Sequence, residues 1–67
     1  MIKTFIHIKH EDNFDNFKWE IKHIPHKGDF ISIAADGPIY EVDKVLFNCF
    51  DCDYEIEIYV HQVSPKS

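Results

Sequence analysis

The stretch Ile24-Pro25-His26-Lys27-Gly28-Asp29-Phe30-Ile31 decides the fold that this chain can adopt. Pro25 has no N–H to donate to a sheet and Gly28 tolerates a positive φ, so the stretch predicts a tight corner that leads into a strand. Two further signals follow at short range, Tyr40-x-Val42-x-x-Val45 and an alternating run over residues 54–60. Together these patterns predict the turns and strands of one small barrel.

Outward from this corner, the chain divides into short segments in which apolar and polar residues alternate. A period of two is typical of a strand with one buried face. The segment 10–16 breaks the alternation with turn-forming polar residues, so we expect a loop there, with a short helical turn as the alternative. The five predicted strands cover about residues 2–9, 17–22, 30–34, 39–48 and 54–61.

Two local features predict how the later strands are connected and shaped. Asp36-Gly37 is a strong hairpin signal between the third and fourth strands. In the fourth strand the apolar positions shift from Tyr40 and Val42 to Val45 and Phe47. This change of parity requires one extra residue near positions 43–44, so we expect a β-bulge that bends the strand.

The predicted fold class is therefore all-β, a small five-stranded antiparallel barrel. We expect one domain over residues 1–63 and a frayed C-terminal tail over residues 64–67. The period of two predicts a core made of Trp19, Ile21, Ile31, Ile33, Val42, Val45, Ile56 and Ile58.

The Pro-x-x-Gly-Asp corner of residues 25–29, followed by Tyr-x-Val-x-x-Val over residues 40–45, resembles a pattern in small uncharacterised bacterial proteins with a Src-homology-3-like barrel. The resemblance covers about residues 17–61 and implies a Src-homology-3-like fold. Its motifs are turn signals, so they describe a fold rather than a function. The acidic and aromatic signature of a proline-peptide groove is not found here, so that activity is not carried over.

Charge argues against a nucleic-acid partner. The 67 residues include twelve acids, seven lysines and no arginine, and the formal net charge is −5. Nucleic-acid binding requires clustered Lys and Arg that replace counterions on phosphates. An acidic membrane surface is disfavoured for the same reason.

The N-terminal sequence favours a cytoplasmic location. Residues 1–7 contain no long apolar run of the kind found in a signal peptide, and no stretch is long enough to span a bilayer. Two cysteines are too few for a fold built on disulfides, which agrees with a reducing compartment.

Cys49-Phe50-Asp51-Cys52 has the spacing of half a zinc knuckle. The chain has no second cysteine pair, so the missing ligands would be histidines. The favoured interpretation is two ordinary cysteines beside a hairpin turn, with Cys49 pointing inward after Phe47, because free cysteine is among the most buried residue types. We expect both thiols to be reduced and metal-free, and we expect no cofactor.

The histidines form two His-x-x-His pairs, His7 with His10 and His23 with His26. On a strand this spacing points the two side chains to opposite faces, so only a turn such as the corner at Pro25 brings a pair together. Exposed imidazoles are the favoured interpretation. The candidate metal ligands that remain open are Cys49, Cys52, His23, His26 and His61.

Aromatic side chains provide the remaining functional signal. Five large apolar residues fall on the strand face opposite the predicted core, and a contiguous patch of such residues marks a protein interface. No catalytic motif is present. We therefore predict a protein-interaction module or assembly subunit without catalysis, which binds a protein partner or itself. The alternatives are a small metal-binding protein or enzyme subunit and, opposed by charge, a nucleic-acid-binding barrel. The predicted interface anchors are Phe5, Phe30, Phe50 and Tyr59.

Overall fold

The computed structural model describes residues 1–64, which form a five-stranded mixed β-sheet curled into a half-barrel. All of its regular structure is β, as the sequence predicts. The strand order is β2-β1-β5-β4-β3, so β2 and β3 form the two edges. The strands are β1 (Ile2–Lys9), β2 (Phe14–Ile21), β3 (Phe30–Ser32), β4 (Ile39–Phe47) and β5 (Ile56–Ser64).

The prediction of an antiparallel sheet is wrong at one pair of strands. β1 and β5 are parallel neighbours, with Thr4 opposite Ile56 and Ile6 opposite Ile58, whereas the other neighbouring strands are antiparallel. Strands joined by consecutive reversals alternate in direction, so the first and the fifth run the same way. When the sheet curls and brings these two together, the pair must be parallel.

The barrel is not closed. No Cα atom of β2 lies within 8 Å of a Cα atom of β3, whereas hydrogen-bonded strands lie about 4.8 Å apart. We call this opening the seam. On one side it is bordered by Phe17, Trp19 and Ile21 of β2. On the other side it is bordered by Ile31 of β3 and by Ile33, which follows that strand.

The core lies on the concave face of the sheet, and its centre comes from the parallel pair. Strands β1 and β5 each present every second residue inward, as the period of two predicts. Thr4 is buried among them, and its hydroxyl donates a hydrogen bond to the Ile2 carbonyl at 3.1 Å. The buried apolar residues are Ile6, Ile8, Val42, Ile56, Ile58 and Val60.

The predicted core is correct except for Trp19. Val42, Ile56 and Ile58 are buried, and the other predicted aliphatic residues are partly buried against them. Trp19 is 39% exposed. Its strand is an edge strand, so within residues 1–64 no further strand pairs beside it.

The predicted β-bulge in β4 is confirmed. Val42 is opposite Val60 and Lys44 is opposite Tyr59, so Asp43 is the extra residue. The bulge restores the inward parity, because Val45 then faces the core opposite Ile58.

The predicted corner is also confirmed, and it is anchored to β4. Gly28 has a φ of 92°, a value that favours glycine. The Asp29 N–H donates to the His26 carbonyl at 2.9 Å, which closes the turn. The Gly28 N–H donates to the Val42 carbonyl, and the Val42 N–H donates to the Asp29 carbonyl. The corner therefore extends the ladder of β4 and holds β3 on that side of the seam.

Several predicted boundaries and turns differ from the structure. Residues 14–16 belong to β2 rather than to a loop or helical turn, because the His10 N–H donates to the Asn13 carbonyl and Lys9 already pairs with Phe14. The turn before β4 starts earlier than an Asp-Gly hairpin would, because the Gly37 N–H donates to the Ala34 carbonyl and Gly37 lacks a positive φ. Strand β3 ends at Ser32, and β5 begins at Ile56.

The end of the chain is described only in part. Ser64 is the last residue of β5, and residues 65–67 of the predicted tail lie outside the described residues. Residues 1–64 contain no helix with the length and apolarity needed to cross a bilayer.

Candidate functional site

Two apolar clefts open along the seam. The first has a volume of about 330 Å³, with Ile21 and Ile31 on its sides and the buried residues Ile6 and Ile58 at its floor. The second has a volume of about 370 Å³ and is bordered by Phe17, Pro38 and Tyr40. Trp19 and Ile33 border both clefts and so stand between them.

Trp19 is the central side chain of the seam. The β1–β2 register places it opposite Thr4, on the inward face of β2. Its ring contacts Phe17 edge to face, with 5.7 Å between the ring centroids. A large and rigid aromatic group that remains partly exposed beside apolar clefts is typical of an interface anchor.

The strand edges on either side of these clefts are unpaired within residues 1–64. β2 pairs only with β1, and β3 pairs only with β4. The free backbone N–H and C=O groups of both edges therefore border the seam. Such edges are templates for pairing with another extended chain.

The opposite, convex face of the sheet is organised around His7. Its Nδ1 lies 2.5 Å from Asn16 Oδ1 and its Nε2 lies 2.8 Å from Glu57 Oε1. Its ring stacks on Tyr59, with 4.5 Å between centroids, and lies 4.7 Å from the Phe5 ring. Both nitrogens of His7 are thus engaged, so we assign this residue a structural role.

Glu57 and Lys44, two charged side chains of this face, each interact with a neighbouring ring. The hydrogen bond from His7 is the largest effect on the pKa of Glu57 and lowers it, desolvation opposes this lowering, and a weaker hydrogen bond from Asn48 adds to it. The Lys44 ammonium lies 4.4 Å from the centroid of the Tyr59 ring, in a cation–π contact. The polar side chains at the centre of the convex face, His7 and Glu57, therefore have hydrogen-bond partners within the sheet.

The four predicted interface anchors do not lie in one patch. Phe5 and Tyr59 are half-buried, and each contacts the His7 ring. Phe30 is 66% exposed on the edge strand β3, and Phe50 is 68% exposed in the loop between β4 and β5. Within the described part of the chain, neither Phe30 nor Phe50 packs on another aromatic ring.

His10 and His61 each contact a separate carboxylate rather than another histidine. His10 Nε2 lies 2.7 Å from Asp15 Oδ2, and His61 Nδ1 lies 2.7 Å from Asp43 Oδ1. His23 borders the first cleft of the seam, and the backbone N–H of His26, not its ring, donates to the Asp29 carboxylate. No group of three or more His, Cys, Asp or Glu residues in positions 1–64 is arranged to hold a metal ion.

A wide polar groove of about 910 Å³ lies on the convex face beside the β1–β2 turn. His10, Asp43 and His61 are among its lining residues, which is the type of convergence that general acid–base chemistry uses. The lining contains no serine, threonine or cysteine that these histidines could activate.

The expectation that Cys49 points inward is wrong. β4 ends at Phe47, so the alternation that placed Cys49 inside stops before it, and both cysteines are exposed. The Cys49 thiol donates to the Phe47 carbonyl at 3.8 Å, and the Cys52 thiol donates to the Tyr54 carbonyl at 2.9 Å. The sequence patterns thus misplaced the thiols. They also missed the seam, which depends on which strands become neighbours.

Comparison of the chain with protein-family models, with curated proteins and with solved structures finds no match.

Proposed function

We propose that this chain is a protein-interaction module without catalysis of its own, and that it binds an extended segment of another protein in the seam. One observation carries the proposal. Two unpaired strand edges stand more than 8 Å apart over a pair of apolar clefts. This arrangement supports the addition of a sixth strand.

The Cα atoms of β2 and β3 are more than 8 Å apart, so the seam is wider than one inter-strand spacing. A strand between β2 and β3 needs two inter-strand spacings, or roughly 9.6 Å. Such a strand hydrogen-bonds to both edges, so main-chain groups supply affinity whatever the sequence of the partner. Because β3 is three residues long, only a short part of the segment pairs on both sides.

The two clefts define which side chains the segment presents. Alternate residues of a strand point to the same face, and residues i and i+2 lie about 6.8 Å apart. Trp19 and Ile33 stand between the clefts, so inward side chains two residues apart enter on either side of them. The preferred segment therefore has the pattern apolar-x-apolar, and the clefts give specificity.

Charge indicates the class of partner. The net charge of −5 attracts a basic segment, does not repel a neutral one, and repels a second copy of the same acidic chain. The absence of arginine from the sequence argues against nucleic acid as the ligand. We therefore infer a basic protein segment with two alternating apolar residues as the occupant of the seam.

We also propose a cytoplasmic location and membership of the Src-homology-3-like barrels. The location is supported by the cysteine content, which is too low for a fold built on disulfides. The fold assignment is supported by the glycine corner, the five strands and the bulged β4. An experimental structure of a bound complex would test the fold assignment and the position of the ligand together.

The test is selection of displayed random nine-residue peptides on the immobilised protein, followed by titration of the selected peptides. Trp19 is the only tryptophan, so its fluorescence reports binding in the seam directly. Trp19→Arg should weaken binding at least tenfold. The matched control is Leu46→Arg on the convex face, where the native side chain is 46% exposed and binding should not change.

Both variants must first show the circular dichroism spectrum of the native sheet. Selected peptides that bind Trp19→Arg as tightly as the native chain, or that leave Trp19 fluorescence unchanged, would contradict the proposal.

A further inference from the structure

The two cysteines occupy an unusual position for free thiols. Free cysteine is among the most buried residue types, yet Cys49 and Cys52 are both free and both exposed. They also share one short loop, with the Cys-x-x-Cys spacing in which two thiolates bind one tetrahedral metal ion. Burial therefore does not account for either residue, which reopens the ligand role that the sequence disfavoured.

The loop that carries the thiols is closed at its base. The Asn48 N–H donates to the Glu55 carbonyl at 2.9 Å, and the Asn48 side-chain amide donates to the Tyr54 carbonyl at 2.9 Å. The Glu55 N–H donates to the Lys3 carbonyl, which ties the loop to the neighbouring strand β1. The thiols are thus presented by an anchored hairpin loop.

Both thiols line the same surface cleft, together with two exposed aromatic residues. The cleft has a volume of about 500 Å³, and its lining includes Cys49, Cys52, Phe47 and Phe50. Phe47 is 57% exposed and Phe50 is 68% exposed. Exposed aromatic side chains around a pair of candidate ligands provide apolar surface for a protein contact.

A single copy of the chain does not complete the site. Within residues 1–64, no third His, Cys, Asp or Glu is placed to join the two thiols around a metal ion. Zinc in structural sites takes four protein ligands. A second copy supplies two more thiols in the same arrangement, and an isologous two-fold contact is the commonest way for identical chains to pair.

We propose that Zn²⁺ bridges two copies of this chain through a site of four thiolates, Cys49 and Cys52 from each copy, with Phe47 and Phe50 packed around it. On binding, each of the four thiols loses its proton to solvent and the ion accepts four sulfur ligands, with no change of oxidation state. The hydrogen bonds from the thiols to the Phe47 and Tyr54 carbonyls belong to the metal-free form.

Charge makes this association dependent on the metal. Each copy carries a formal charge of −5, so two copies repel each other when only apolar contacts hold them. The metal–thiolate bonds provide the attraction that overcomes this repulsion. The metal-free chain should accordingly be a monomer, and the seam, which is bordered by other residues, remains available in the dimer.

The experiment is titration of the fully reduced chain with Zn²⁺ in a phosphine reductant, followed by sedimentation equilibrium. The mass should double, with an end point of one zinc per two chains. Replacement of zinc by Co²⁺ should give the absorption of a tetrahedral site and a strong thiolate charge-transfer band. Cys49→Ser and Cys52→Ser should each abolish both the doubling and this band.

Two further variants make the result specific. Phe50→Ser keeps both thiols and should weaken dimerisation at least tenfold, because it removes apolar surface beside the site. His23→Gln removes an exposed imidazole outside the loop and should change neither the stoichiometry nor the mass. A one-to-one zinc complex that stays monomeric, zinc binding that survives both serine variants, or no binding would each overturn the proposal.

Discussion

At the residue scale, Trp19 and Ile58 illustrate two roles of an inward-facing side chain. On an edge strand such a side chain is available for binding, whereas on a central strand it stabilises the fold. Trp19 is 39% exposed on an edge strand, whereas Ile58 is 1% exposed on a central strand. A fully buried Trp→Ala substitution costs about 3–5 kcal/mol. The exposed part of Trp19, 39% of its surface, is available to a partner rather than to the core.

Trp19→Ala should therefore lower the free energy of unfolding by only about 1–2 kcal/mol, and Ile58→Ala by about 3–4 kcal/mol. A core of this size supplies about 3–5 kcal/mol, so the second substitution should leave much of the chain unfolded. Urea denaturation followed by circular dichroism measures both values. An equal loss for the two substitutions would show that Trp19 is a core residue.

The contact between His7 and Glu57 predicts a dependence of stability on pH. The pKa of Glu57 is lowered in the folded chain, chiefly by the hydrogen bond from His7. A carboxyl group with a depressed folded pKa stabilises the fold above its unfolded pKa, and this stabilisation is lost as the pH falls through the folded pKa. The chain should therefore lose stability on acidification below the ordinary range of a glutamate.

His7→Gln should raise the pKa of Glu57 and reduce this acid-dependent loss, because the principal hydrogen bond to the carboxylate is weakened. Carbon-detected NMR titration of the Glu57 carboxyl measures the pKa, and His23→Gln serves as the control. If the pKa of Glu57 is the same in the native chain and in His7→Gln, the assigned cause is wrong.

At the element scale, the glycine corner and the β-bulge are the features that local sequence predicts well. Each depends on residues close together in the chain, namely Pro25 with Gly28 and the parity change around Asp43. The turn at Asp36-Gly37 was predicted less well, because the hydrogen bond from the Ser32 hydroxyl to the Ala34 carbonyl and the turn at Ala34 end β3 early.

Gly28→Ala tests the corner. Its added Cβ meets nothing within 4 Å, so the cost comes from the positive φ alone and should be about 1–2 kcal/mol. Gly37→Ala is the matched control, because Gly37 has no positive φ and its added Cβ would stand 3.4 Å from Ala34 Cβ. Thermal unfolding should show a clearly lower midpoint for Gly28→Ala than for Gly37→Ala.

At the scale of the whole molecule, the parallel β1–β5 pair and the open seam were beyond local sequence patterns. The alternation in each strand predicts which face is buried, but it does not state which strands become neighbours. The candidate site was missed for the same reason. Trp19 has the correct parity for the core, and only the separation of β2 from β3 leaves it exposed.

The hydrogen bonds of the corner explain why the seam stays open. The connection between β2 and β3 spans residues 22–29, and its second half is bonded to Val42 of β4. These bonds hold β3 against β4 while β2 stays against β1. A seam held apart by the framework is prepared for a ligand, which reduces the entropy lost on binding.

Amide hydrogen exchange of the ¹⁵N-labelled chain, free and with a peptide selected on it, tests the open seam most directly. Every second amide of β2 and β3 should exchange rapidly in the free chain, because no partner lies across the seam, and the same amides should become protected in the complex. The amides between β1 and β5 should be slow in both states. Protection of the seam amides in the free chain, or peptide binding that leaves them unprotected, would contradict the sixth-strand account.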